Sequence, residues 1–139
     1  MEQLKALYET YFAAAQKVWK ERPAWDGMLG LGASTKDHPC HMAFYKSVEQ
    51  WVADFLQAPS EAAAEEAITY IMQIPESHKG QFTYWTLLAA QGLARPLVPL
   101  ISPDHAGRMR AWYEGVYPRQ ARMPVHKELL KLLKKRERE

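Results

Sequence analysis

Apolar side chains recur along this chain in alternating steps of three and four residues, and no segment shows the period-two alternation of a strand bounded by hairpin turns. The first segment is the clearest case. Leu4, Leu7, Tyr8, Tyr11, Phe12, Ala15, Val18 and Trp19 share one face of a helix, while Glu2, Lys5, Glu9, Lys17 and Lys20 lie mostly on the others. A chain patterned in this way is restricted to packed helices.

Prolines and caps divide the pattern into elements. Pro23 stops the first helix near residue 21. Residues 22–38 form a long connection containing Pro23, Gly27, Gly30 and Gly32. The spacing G-x-x-G-x-G is a loose match to a phosphate-binding loop, but no strand precedes it and no Gly-Lys-Ser/Thr follows. Trp25, Met28, Leu29 and Leu31 argue that this connection folds back onto the body. The second helix starts near Pro39 and carries Phe44, Tyr45, Val48, Trp51, Val52, Phe55 and Leu56. Ser60 caps the third, with Glu61, Glu65 and Glu66 at the positive end of its dipole and Ala64, Ala67, Ile68, Ile71 and Met72 inward, up to Pro75. After a turn at 75–80, the segment QFTYWTLLAAQGL is apolar nearly all round, which places it at the centre of the fold. Gly92 and Pro96 break it, and a short helical turn ends near Ile101. Ser102-Pro103-Asp104 opens the next helix, with Met109, Trp112, Tyr113 and Val116 inward. Met123-Pro124 leads into the last, with Val125, Leu129, Leu132 and Leu133 inward and a basic tail over 134–139 that frays.

The fold expected is therefore all-α: one domain over residues 1–139, an orthogonal or up-down bundle of five to six helices. There is also an internal echo. SEAAAEEAITYIMQI and SPDHAGRMRAWYEGV align at an offset of 42 residues, matching Ser60 with Ser102, Ala64 with Ala106 and Tyr70 with Trp112. Helical-pair repeats of the HEAT type have periods of about 40 to 47 residues.

Composition narrows the functional classes. The net charge of +2 conceals an asymmetry: residues 119–139 hold eight Lys or Arg against three Glu, a local +5, and the remainder is acidic. A basic region this local is no strong nucleic-acid signal, which needs a broad patch or stripe. The opening residues, interrupted by Lys5, Glu9 and Lys17, do not read as a signal peptide, and no run is long and apolar enough to span a bilayer. A single cysteine suits a reducing compartment. Together these give the expectation of a soluble, cytoplasmic protein.

The densest chemistry lies in TKDHPCHMAFY, where Asp37, His38, Cys40 and His41 fall within five positions. Three readings compete. His38, Cys40 and His41 are of the right types for a metal such as zinc, but neighbours on one helix start point apart, and further ligands would come from His78, His105 or His126. Cys40, at the second helical position, could be a thiolate nucleophile, with His38 or His41 as base and Asp37 orienting it. The plain alternative is a helix cap, with Asp37 or His38 capping and Pro39 setting the first φ. Elsewhere Tyr84, Trp85, Trp112 and Arg108, with Tyr113, Tyr117, Arg110, Arg119 and Arg122 nearby, could line a ligand pocket or simply supply volume and surface charge. The basic, amphipathic last helix could contact an acidic partner or an anionic membrane.

No set of residues has catalytic spacing. The preferred reading is a non-catalytic interaction module, self-associating through an aromatic helix face or binding another protein, with no cofactor called for. The alternative is a small enzyme or ligand-binding domain with a pocket near residues 25–41, using Cys40, His38 and His41.

Overall fold

Tyr8, Tyr11 and Phe44 show how the helices find one another. Tyr11 stacks flat on Phe44, with centroids 4.1 Å apart and planes 8° from parallel, and Tyr8 meets Phe44 edge-on at 5.0 Å. These contacts join α1 (Glu2–Lys20) to α2 (Pro39–Phe55). In this computed structural model residues 1–21, 38–77 and 83–139 are described. They also form α3 (Glu61–Ser77), α4 (Thr83–Leu97), α5 (Pro103–Val116) and α6 (Pro124–Glu137), with single 3-10 turns at Val98–Leu100 and Arg119–Ala121. The chain is all-α, and the described residues contain no strand. The long connection expected over 22–38, its glycines and Asp37 lie outside the described residues, as does His78; only His38 at its end is seen.

The helices pair as α1 with α2, α3 with α4 and α5 with α6, and α4 also touches α2 and α6. Side chains set the directions. Tyr117, near the end of α5, stacks on His126 at the start of α6, and Arg110 reaches Glu137 at the far end of α6, so these two helices run antiparallel. Between α3 and α5 the order is reversed: the Ser102 N–H donates to Glu65 Oε1, and Thr69 meets His105, so these two run parallel. Tyr8 against Tyr70 at 5.6 Å extends the same row to α1. The result is two layers, α1-α3-α5 and α2-α4-α6, made by stacking three helical pairs.

The echo at offset 42 has a structural counterpart. Ser60 Oγ accepts the Ala63 N–H and Ser102 Oγ accepts the His105 N–H, each at 3.1 Å. Ala64 and Ala106, four residues after each cap, are both fully buried. A side chain larger than Ala at either place would push its helix away from its neighbour.

The central place expected for the fourth helix is observed. Leu87, Ala89, Ala90, Leu93, Ala94 and Leu97 are buried on several sides of α4. Three boundaries differ from expectation. α3 runs through Pro75 to Ser77 in place of a turn beginning at 75. Gly92 and Pro96 do not break α4, which runs through both to Leu97 before the 3-10 turn. Pro96 stands one residue from the end, where the hydrogen bond a proline removes is one of the last in the helix. The tail over 134–139, expected to fray, is helical to Glu137. Arg136 Nε donates to the Ile101 carbonyl at 2.8 Å, and Arg110 grips Glu137 through both carboxylate oxygens. Gly107 makes room for this: a Cβ there would come within 2.9 Å of Glu137 Oε1.

Candidate functional site

The start of α2 uses its polar residues in packing. His38 is the N-cap, and its Nδ1 accepts the Cys40 N–H at 3.1 Å. An imidazole here does what Ser or Asp does at most helix starts. Cys40 packs against the core, and burial pushes its thiol up, outweighing the backbone N–H that lowers it. The second helical position favours a thiolate, yet desolvation wins, and the sulfur is held as S–H. His41 is 5% exposed. Its Nδ1 and the Tyr11 hydroxyl share a 2.7 Å hydrogen bond, and its ring lies parallel to Trp85, 5.5 Å away and 4° from coplanar in tilt. Burial holds the Tyr11 phenol well above its ordinary range, so it stays protonated. Among the described residues no three His, Cys, Asp or Glu side chains gather as a metal cluster.

The aromatic candidates separate. Trp85 gives its face to His41 and its edge region to Tyr45, so its ring is engaged by side chains. Tyr84, the preceding residue, meets Trp85 at 5.6 Å with the rings perpendicular and is 61% exposed. Trp112 packs against the core beside Tyr113. Arg108 donates to His105 Nδ1 at 3.3 Å. The rings that the sequence offers for self-association are largely stacked on one another inside.

His105 ties the second pair to the third. The Thr69 hydroxyl gives its proton to the Glu65 carbonyl at 2.8 Å, so at 3.0 Å it accepts from His105 Nε2–H. His105 Nδ1 is then the acceptor that Arg108 requires. The Glu65 carboxylate accepts the Ser102 N–H and is held below its usual range, first by that bond.

His126 is the third such residue. Its Nδ1 accepts the Met123 N–H at 3.0 Å, which leaves the ring proton on Nε2. That Nε2–H is buried without a partner, and the ring stacks on Tyr117 at 4.1 Å. Burial, then the nearby Arg122, lowers its pKa.

Side by side, these residues show a pattern that the candidate set missed. Three helices open with cap, Pro, any residue, His: His38-Pro39-Cys40-His41, Ser102-Pro103-Asp104-His105 and Met123-Pro124-Val125-His126. Each imidazole occupies the third helical position and turns inward onto the preceding pair or partner helix. The recurring Pro-x-His was the readable signal. It marks a packing device rather than a shared site, since the three rings sit at three separate helix starts.

The feature with exposed, convergent chemistry is on α6. Lys127, Lys131, Lys134, Lys135 and Arg138, with Arg122 from the preceding turn, line a cleft of about 560 Å³ whose wall includes Leu130 and Glu139. At 100° per residue the five helix-borne cations fall within an arc of about 100°. Among the described residues, none of the five forms an ion pair. Three arginines near the arc are occupied: Arg95 with Glu128, Arg110 with Glu114 and Glu137, Arg136 with Ile101 and Glu139. A shallower cleft lies across α5 and the end of α6, lined by Pro103, Asp104, Gly107, Arg108, Ala111 and Glu137. No helix among the described residues is long and apolar enough to cross a membrane. No protein-family model, characterised protein or solved structure matches this chain.

Proposed function

We infer that this protein is a non-catalytic binding module that engages an anionic partner through the cation-lined cleft of α6. The observation carrying this reading is the sorting of charge on α6. Its one cation on the opposite side, Arg136, is matched with the Ile101 carbonyl and Glu139, while the five cations of the outward arc form no ion pair among the described residues. Unmatched like charges at i and i+4, as in Lys127–Lys131 and Lys131–Lys135, each cost a helix about 0.2–0.5 kcal/mol. A helix dipole offsets this in the last turn, for Lys134, Lys135 and Arg138. It does not offset it for Lys131, in the middle, and it opposes Lys127, in the first turn. An arriving anion would relieve the whole row. His38 caps α2, His41 stacks on Trp85 and Cys40 packs against the core, which supports a packing role for the residues that suggested catalysis.

The test is retention of the intact protein on a heparin resin. Retention at low salt that falls as salt rises is the expected result, because counterion release makes such binding salt-dependent. A Lys127→Gln, Lys131→Gln, Lys134→Gln variant of unchanged helicity should pass through. Equal retention of that variant would reject the α6 cleft as the binding face.

A further inference from the structure

The clustered cations restrict the kind of anion as well as its sign. We propose that the α6 cleft binds a compact, multiply phosphorylated small molecule; this rests on the anion-binding reading above and narrows it.

Size is the first argument. A volume of about 560 Å³ lies within the range of about 300–1,000 Å³ typical of small-ligand sites. The row of cations from Lys127 to Arg138 spans eleven residue steps, or about 16 Å of helix axis at the α-helical rise. A single carboxylate or orthophosphate could touch only part of that row. An extended nucleic acid would need cations continuing beyond it, but of the neighbours Arg95, Arg110 and Arg136 are bound to Glu128, Glu114, Glu137 and Glu139, and Arg108 is turned to His105.

Donor type is the second. Four of the six cations are lysines. An ammonium meets phosphate oxygens as a compact point charge from several directions, and the two arginines can add a planar fork to the same oxygens. Arg122, the one cation reaching in from outside the helix, is steadied by donating to the Tyr117 carbonyl at 2.8 Å and by Glu114 at 3.9 Å, so part of its charge is already matched. Leu130 and the lysine stems give the cleft an apolar floor against which a ring or carbon scaffold carrying the phosphates can rest.

The experiment is isothermal titration of the full chain with sodium tripolyphosphate, with orthophosphate, citrate and a short single-stranded oligonucleotide as comparators. At about 50 mM salt, tripolyphosphate should bind one-to-one and at least about tenfold more tightly than orthophosphate or citrate, weakening steeply toward about 200 mM. Lys131→Gln with Lys134→Gln should abolish saturation while leaving the thermal unfolding transition in place, and Lys46→Gln, on α2, should leave binding unchanged. Citrate binding as tightly as tripolyphosphate would overturn the phosphate assignment while leaving the anion cleft intact. Preference for the oligonucleotide would overturn it in favour of nucleic acid. Failure of every anion to bind would remove both readings.

Discussion

The first and third helical pairs solve the same problem with different materials. Between α1 and α2 the contact is made by rings: Tyr8, Tyr11, Phe44 and His41, continued to Trp85 on α4 and Tyr70 on α3. Between α5 and α6 the leucines of α6 share the centre with Tyr113, the rings of Tyr113, Tyr117 and His126 close one end, and the half-exposed Arg110–Glu137 fork fastens the other. Ring contacts are insensitive to salt and costly to hollow out. Ion pairs on a half-exposed surface are screened and individually weak. The difference teaches where rigidity and adjustability lie: the N-terminal pair is the anchor, and the C-terminal pair, which carries the cleft, is the one whose hold responds to solution conditions.

The sharpest way to break that contrast is to hollow the anchor. Tyr8 is 1% exposed and meets three other rings, so Tyr8→Ala should cost about 3–5 kcal/mol in denaturant unfolding. Its hydroxyl is buried with no hydrogen-bond partner among the described residues. Tyr8→Phe should therefore be neutral or stabilising by up to about 1 kcal/mol, since it removes an unsatisfied polar group and keeps the ring. Destabilisation by Tyr8→Phe comparable to that of Tyr8→Ala would show that the hydroxyl, not the ring, holds the pair.

The cap serines sharpen the likeness of the second and third pairs. Ser60→Ala and Ser102→Ala should each cost about 1 kcal/mol, because each removes the same bond to the third helical N–H. A large gap between the two would mean that the echo is one of spelling only. A gentler handle is pH. The fold depresses the His126 pKa, so the unfolded chain takes up a proton before the folded one does. Its contribution is thus fully present above the ordinary imidazole value of about 6.5 and is lost as the pH falls below it. Denaturation midpoints taken at falling pH should decline in the native protein and decline less in His126→Gln; parallel curves would clear His126 of any part. Smallest globally, and most local, is Glu137→Gln: amide exchange should speed up over 134–137 with little change elsewhere. Unaltered exchange there would leave Arg136 as the sole fastener of the tail.

Much of this fold is legible from spacing. Leu4, Tyr8, Tyr11 and Ala15, or Ala64, Ala67, Ile68 and Ile71, follow the helical period and are buried where that period puts them. What local rules misjudge depends on distant partners. Pro96 reads as a breaker because propensity does not know how near the helix end it stands. Residues 134–137 read as loose because nothing nearby shows that Arg110, 27 positions earlier, will hold Glu137. Cys40 and His41 read as chemistry because sequence gives residue type without surroundings; burial among Tyr11 and Trp85 decides their use. The cation row was visible as a +5 end, but which members are unmatched depends on where carboxylates of other helices arrive.

Gly107 brings these threads to one place. With no methyl group there, Glu137 can lie across α5, and α6 cannot swivel about its own axis without lifting that carboxylate from its seat. An atom missing from one helix thereby sets the azimuth of the lysines on another, and a side chain added at position 107 would re-aim the charges without touching any of them.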